Sequence, residues 1–167
     1  MSNEEIAKND SKIIQTPPEI WHGRFLTLAK WYGSWSKDPE QKVGAVIVSP
    51  DRRNITPGYN GFPRGLKDTE ERLNNVDIKL SLVIHAEVNA ILNSKNCEGS
   101  YMYVTRPPCH QCALAIIQSG IAVVCHPPIS EESKWYQSQI LAHKLFEEAG
   151  VGVIHLMESR NREQNTH

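Results

Sequence analysis

The chain has 167 residues, with 18 basic and 19 acidic side chains and a formal net charge of −1. Such a balance gives no general attraction for nucleic acid, so we expect no nucleic-acid partner. No apolar run approaches the roughly 20 residues that a membrane-spanning helix needs, and the first five residues are too polar and acidic for a secretion signal. We therefore expect no membrane association.

The length fits one ordinary domain, which we place at residues 17–157, with flexible segments at 1–16 and 158–167. There are four cysteines, two of them in a C-x-x-C pair. We expect the other two, Cys97 and Cys125, to be free thiols rather than a disulfide. This usage fits a reducing, cytoplasmic setting.

The first half of the chain predicts a helix and a hairpin. Apolar residues recur near helical spacing over residues 19–36, which predicts a helix. Residues 42–48 form an apolar run closed by turn residues, and 55–59 return as a second strand. A polar, charged stretch at 61–79 predicts a long irregular loop, and loops of that length are usually functional.

The next predicted helix spans residues 81–92 and carries an apolar stripe at positions 84, 88, 91 and 92. His85 and Glu87 fall near the beginning of this helix and off the stripe. They are therefore free to serve a site rather than the core.

Strands and helices alternate in the last part of the chain. The predicted order is strand 100–105, a helix running from Cys109 to residue 118, strand 121–125, helix 134–149 and strand 151–156. This alternation implies parallel pairing through right-handed crossovers, joined to the antiparallel hairpin. The predicted fold is a three-layer α/β/α sandwich with a mixed five-stranded sheet.

Three side chains have the character and spacing of zinc ligands: His85, Cys109 and Cys112. Two prolines precede Cys109, and proline suits a helix start, so both cysteines lie on one first turn. Three ligands leave a fourth tetrahedral position open, as in catalytic zinc sites. Glu87, two residues after the histidine, is a carboxylate placed to move protons for a water at that position.

Other readings explain only parts of this pattern. A C-x-x-C pair alone is also typical of a thioredoxin-like redox site or of half a structural zinc site. A redox pair leaves His85 and Glu87 unexplained, and a structural site lacks an evident fourth ligand. The combination favours a catalytic zinc.

The pairing of H-x-E with P-C-x-x-C is the known signature of zinc nucleobase deaminases. Together with residues 36–48 and the stretch G-Y-N-G-F-P-R-G at 58–65, it makes the chain resemble deoxycytidylate (dCMP) deaminases. The resemblance runs over residues 34–152. It implies a cytidine deaminase-like fold and hydrolysis of dCMP to dUMP and ammonia, with Zn²⁺ at the catalytic site.

The resemblance also implies regulation and assembly. Members of the family are typically homohexamers that dCTP activates and dTTP inhibits at a separate nucleotide site, where Mg²⁺ accompanies the triphosphate. Arg64 and the turn around it, made by Gly61, Phe62 and Gly65, are candidates for that site. A sharp reversal of the chain would explain the same glycines, and the sequence does not decide between the two.

Substrate-binding residues are less clearly marked. By the resemblance, Asn60 hydrogen-bonds the sugar and the base, although an asparagine between Tyr59 and Gly61 is also a common turn residue. We favour the binding role. Four further candidates for holding the 5′-phosphate could equally be ordinary surface residues: Ser36, Lys42, Arg106 and Tyr136.

Two other functions use the same residues. The zinc site would also serve a deaminase of tRNA adenosine, but such an enzyme needs a basic surface to bind RNA. It would serve a deaminase of a free base as well, but such an enzyme needs no phosphate-binding group. A nucleotide sensor that keeps the fold and the metal without catalysis is the alternative from a different class. The residues favour a dCMP deaminase.

Overall fold

A computed structural model describes residues 17–156, and the flexible segments predicted at 1–16 and 158–167 lie outside this range. This range forms six helices and five strands, in the chain order α1 Glu19–Gly33, β1 Gly44–Val48, β2 Ile55–Tyr59, α2 Glu70–Asn74, α3 Val76–Leu82, α4 Ala86–Asn93, β3 Tyr101–Val104, α5 His110–Gln118, β4 Val123–His126, α6 Tyr136–Ala149 and β5 Gly152–His155.

The strands form one mixed sheet in the order β2-β1-β3-β4-β5. β1 pairs antiparallel with both β2 and β3, whereas β3, β4 and β5 are parallel. The parallel pairs are joined through α5 and α6, since a parallel connection needs a crossover. The predicted mixed five-stranded sheet is confirmed.

Alternation along the strands divides the core into two layers, because successive side chains point to opposite faces. On β1, Val46 and Val48 pack with Phe25 and Ala29 of α1. Ala45 and Ile47 face the opposite way, into a core shared with α4, α5 and α6. The α/β/α sandwich predicted from the sequence is therefore confirmed.

The prediction of an irregular loop over residues 61–79 is wrong, because the second half of that stretch forms α2 and α3. Each helix begins at a side-chain cap: Thr69 Oγ1 accepts a hydrogen bond from the Arg72 N–H, and Asn75 Oδ1 accepts one from the Ile78 N–H. Such caps stabilise a helix start by about 1 kcal/mol and carry no apolar periodicity, so the pattern of hydrophobic residues did not reveal them.

The helix predicted at 81–92 is also corrected. Leu82 ends α3, the chain is extended at Val83, and α4 starts only at Ala86 with His85 as its N-cap. The break arises because Ile84 pairs with Gly61, exchanging two backbone hydrogen bonds of 2.9 and 3.1 Å. This tertiary contact leaves no marker in the local sequence.

β2 lies unusually close to α4 at Gly58. A β-carbon at this position would meet the backbone of α4, within 2.9 Å of the Ala90 α-carbon and closer still to the Ala86 carbonyl oxygen. Glycine is needed here because no side chain fits between the strand and the helix. The contact fixes the helix that carries Glu87.

Cys97 and Cys125 are free and buried, as predicted from the sequence. Within residues 17–156, no helix combines the length and the apolar character that crossing a membrane would require.

A buried ion pair ties α3 to the segment before β1. Lys79 Nζ lies 3.0 Å from Asp38 Oδ1, and the side chains are 6% and 9% exposed. Burial acts to raise the pKa of Asp38, but backbone N–H groups of Gln41 and Glu40 together with Lys79 lower it below its usual range. The carboxylate is therefore charged and fully engaged near neutral pH.

We predict that Lys79→Met lowers the free energy of unfolding by about 3 kcal/mol, because it leaves the Asp38 carboxylate buried without its cation. Urea denaturation measures the loss. Lys37→Met is the matched control, since the ammonium of Lys37 pairs with Asp68 at 2.6 Å but is 69% exposed. Its removal is expected to leave the stability almost unchanged. Equal effects of the two substitutions would contradict the importance of the buried pair.

Candidate active site

His85 is presented by the start of α4. It occupies the N-cap position in an extended conformation, and its side chain makes no capping hydrogen bond. The pairing of Ile84 with Gly61 fixes the backbone just before it. The imidazole is consequently held at the helix N-terminus with its nitrogens available.

Cys109 and Cys112 come from the start of α5. Cys109 is the N-cap and Cys112 lies in the first turn, as the prolines before them predicted. Cys109 Sγ is 3.5 Å and Cys112 Sγ 3.3 Å from Nδ1 of His85. The N-termini of α4 and α5 therefore meet, and their positive dipole ends favour thiolates at this point.

The three ligand atoms fit a zinc ion. All of them lie within 4.8 Å of one another. Around a tetrahedral zinc, with bonds of about 2.0 Å to nitrogen and 2.3 Å to sulfur, the nitrogen–sulfur separation is about 3.5 Å. The observed separations approach this value, and two thiolates with one imidazole are ligands that zinc prefers. These residues leave the fourth position of the tetrahedron to another ligand.

The two thiols have opposite pKa shifts. Hydrogen bonds from the Cys112 thiol and from His85 lower the pKa of Cys109 to about 4, although burial opposes them. The same hydrogen bond to the Cys109 thiolate, together with burial, raises the pKa of Cys112. The pair therefore holds one proton, which metal binding displaces.

Glu87 lies in the first turn of α4, only 4% exposed, and lines the same pocket as His85 and Cys109. Burial raises the pKa of its carboxyl group above the usual range, and the charge of His85 opposes this shift. It is not one of the three residues grouped around the metal position. A buried carboxyl group beside the ligands is suited to accept and return protons.

The pocket is bounded by α3, α4, the loop before α5 and the start of α6. Of the predicted substrate residues, Asn60 and Arg106 line it. Both ends of the Asn60 amide are already engaged: Oδ1 accepts from the Val43 N–H at 2.8 Å and Nδ2 donates to the Gln41 carbonyl at 2.7 Å. In this conformation Asn60 holds the pocket wall in place.

The other predicted substrate residues do not line this pocket. Ser36 is buried and donates to the Asn60 carbonyl at 2.8 Å, and Lys42 Nζ donates to the Ser36 carbonyl at 2.8 Å. Ser36, Lys42 and Asn60 are thus joined by hydrogen bonds, and of the three only Asn60 lines the pocket. Tyr136 is the first residue of α6, next to a residue that does line the pocket, Trp135.

Several lining residues were missed from the sequence: Asp38, Lys79, Lys134, Trp135 and Gln139. Asp38 and Lys79 are 41 positions apart, and no local pattern pairs them. Lys134 and Trp135 lie at the predicted start of the helix after β4, and no local pattern in the sequence marked them as pocket residues.

Three of the four predicted regulatory residues lie at another cleft, which residues of β2 and α4 also line. Gly61, Phe62 and Arg64 line it, and Arg64 Nη2 is 3.5 Å from Asn93 Oδ1 of α4. Gly65 is outside the lining residues and has a φ of +88°, a conformation that glycine adopts readily. Gly65 therefore has the backbone conformation that calls for glycine in a turn, whereas Gly61, Phe62 and Arg64 line the cleft.

Comparison with known proteins gives a consistent result. The profile of the cytidine and deoxycytidylate deaminase zinc-binding region matches residues 19–126. Over 142 residues the chain is 42% identical to an uncharacterized deaminase in the luxG 3′ region of Aliivibrio fischeri, covering 81% of this chain and 93% of that protein. It is 39% identical to the deoxycytidylate deaminase of Homo sapiens over 142 residues, covering 78% and 76% of the two chains.

A solved structure agrees in fold. The dCMP deaminase of the cyanophage S-TIM5, determined in complex with dCMP and dUMP, aligns with a TM-score of 0.65 and 25% sequence identity over 84% of this chain and 99% of that one. The profile spans the elements that carry all three ligands and Glu87. The chain therefore belongs to the cytidine and deoxycytidylate deaminase family of hydrolytic enzymes.

Proposed function

We propose that the chain hydrolyses dCMP to dUMP and ammonia, with zinc bound by His85, Cys109 and Cys112. The observation that carries this proposal is the buried carboxyl group of Glu87, which lies beside one imidazole and two thiols that could hold zinc. The pocket that Glu87 lines is also lined by the cations Arg106 and Lys134. The identity with deoxycytidylate deaminases and the fold shared with an enzyme solved with dCMP support the choice of substrate.

The chemistry divides between the metal and Glu87. Zinc, when bound, supplies the Lewis acidity that makes water nucleophilic near neutral pH. Glu87 takes one proton from the attacking water and delivers it to the ring nitrogen of the pyrimidine. It then takes the remaining proton from the hydroxyl added to the ring carbon and gives it to the amine, which leaves as ammonia while the carbonyl forms. Burial raises the pKa of this carboxyl group, so it can hold a proton between these transfers.

The phosphate end of the substrate needs a cation that is not already neutralised. Lys79 is committed to its buried pair with Asp38. Arg106 and Lys134 also line the pocket, and neither forms an ion pair within residues 17–156. We propose that these two cations bind the 5′-phosphate, while Asn60 acts indirectly by holding the pocket wall beside the nucleoside in place.

We predict that Glu87→Gln lowers kcat for dCMP by about 10²–10⁴-fold, the usual contribution of a general acid–base group, while the bound zinc stays at one per chain. Ammonia release and metal analysis measure the two quantities. Glu148→Gln, which changes an exposed carboxylate on α6, is the control and keeps full activity. Unchanged turnover in Glu87→Gln would contradict the catalytic role of Glu87. Absence of dCMP turnover in the wild type, with nucleotide binding kept in Glu87→Gln, would instead favour a nucleotide sensor without catalysis.

We predict that Arg106→Gln and Lys134→Gln raise KM for dCMP by about tenfold or more, since a charge-assisted hydrogen bond contributes about 1.5–3 kcal/mol. The effect on deoxycytidine, which has no phosphate, is expected to be small. Lys95→Gln removes an exposed cation outside the pocket and serves as the control. Turnover of cytosine or of an RNA hairpin in preference to dCMP would contradict the assignment of substrate.

We also propose that the chain is regulated, with dCTP activating and dTTP inhibiting at the cleft that contains Phe62 and Arg64, and Mg²⁺ accompanying the triphosphate. α4 supports a coupling between the sites, because Glu87 begins this helix and Asn93, which contacts Arg64, ends it. A homohexamer is the assembly we propose, and the exposed Trp31 and Trp35 of the α1 region offer apolar surface for subunit contacts.

We predict sigmoidal dCMP kinetics that dCTP with Mg²⁺ makes hyperbolic, and loss of this response in Arg64→Gln. Arg53→Gln, at an exposed position in the β1–β2 turn, retains it. Steady-state rates with each triphosphate, measured alongside the mass of the assembly, test both points. Hyperbolic kinetics indifferent to dCTP and dTTP would remove the regulatory proposal and leave the catalytic one intact.

The free thiols at Cys97, Cys109, Cys112 and Cys125 fit a reducing compartment. We propose the cytoplasm as the location of the enzyme. Because a net charge of −1 gives the chain no general attraction for nucleic acid, we propose no nucleic-acid partner.

A further inference from the structure

Three histidines form a compact layer between α6 and the sheet, on elements that carry none of the three metal-binding residues. His126 ends β4, His155 ends β5 directly beside it, and His143 lies on α6. The ring centroid of His126 is 5.0 Å from that of His143 and 5.1 Å from that of His155, and those of His143 and His155 are 5.4 Å apart. The proposed deamination makes no use of this layer.

The hydrogen bonds fix the tautomer of His126. Its Nδ1 lies 2.6 Å from the Pro127 carbonyl oxygen, which can only accept, so Nδ1 carries the proton and Nε2 presents a lone pair. A backbone carbonyl that accepts from one ring nitrogen while the other stays free is the arrangement typical of metal-binding histidines.

The free nitrogen of His126 meets that of His143. The two Nε2 atoms are 3.0 Å apart. Two imidazole nitrogens bound to one zinc ion at about 2.1 Å are separated by about 2.9–3.4 Å for bond angles between 90° and tetrahedral. The observed distance falls in this range. It also suits a direct hydrogen bond, so this pair alone does not decide the matter.

The position of the His155 ring beside the other two is not explained by a hydrogen bond. This ring contacts both other rings, and the His155 side chain makes no hydrogen bond within residues 17–156. Within the described part of the chain, only His85, Cys109 and Cys112 have three ligand atoms within 4.8 Å. His155 must therefore rotate to join the other two, and it is free to do so because it is exposed.

Burial keeps His126 and His143 in the neutral form that binds metal ions. His126 is fully buried, and burial lowers its pKa to about 4. Burial also lowers the pKa of His143, aided by the charge of His155. Neutral imidazole is the form that binds metal, so the lowered pKa values of His126 and His143 favour metal binding by these two residues near neutral pH.

We propose that His126, His143 and His155 form a second metal site, for a divalent transition-metal ion of the zinc, nickel and copper class that prefers imidazole. Bound there, the ion joins α6 to the ends of β4 and β5. The residues at the start of α6 line the catalytic pocket, so this link would stabilise the wall that contains Trp135 and Gln139.

Zinc binding to the intact, tag-free chain tests the proposal without an activity assay. Protein that already holds one equivalent is titrated with Zn²⁺ by calorimetry. We expect one further equivalent, and a loss of about tenfold or more in its affinity in His143→Gln and in His155→Gln, given that even outer-shell changes have effects of that size. Glutamine can still donate to His126, and His155 is exposed, so both variants should fold.

Lys144→Gln, which alters an exposed neighbour of His143 on the same helix, is the matched control and binds the second equivalent normally. Excess zinc is expected to raise the Tm of the wild type and of this control, but not of His143→Gln, because an ion that binds only the folded state stabilises it. Absence of a second equivalent, or its retention in both histidine variants, would overturn the proposal. Neither result would affect the His85, Cys109 and Cys112 site.

Discussion

The convergence of two helix N-termini is the constraint on which the active site depends. His85 begins α4 and Cys109 begins α5, yet their ligand atoms lie 3.5 Å apart. The positive ends of both helix dipoles are directed at one point, which favours thiolates and a buried carboxylate there. The three side chains that could hold a metal ion therefore lie on elements that the sheet positions.

The sheet achieves this convergence through close packing. Gly58 on β2 allows α4 to approach the strand so closely that no β-carbon would fit. Ile84 pairs with Gly61, which ends α3 and aligns His85. The candidate active-site pocket and the cleft beside Arg64 are thus both lined by residues of α4, the helix that these two contacts hold in place.

Polar groups buried around the pocket serve mainly to hold its walls. Asn60 binds the segment before β1 with both ends of its amide, and Asp38 with Lys79 fastens α3 across the same opening. This arrangement leaves the cations Arg106 and Lys134 for a ligand. Rigid walls with a small number of uncommitted charges are what an enzyme needs to orient a charged substrate.

The sequence by itself determined the class of fold and identified the candidate zinc-binding group. The mixed five-stranded sheet and the clustering of His85, Cys109 and Cys112 could be predicted, because residue type, short spacing and strand–helix alternation are local properties. Tertiary structure alone decided the break before α4, the pairing of Asp38 with Lys79 and the meeting of His126, His143 and His155. Each of these contacts joins residues far apart in the chain, and their energies appear only when the sheet brings the segments together and excludes water.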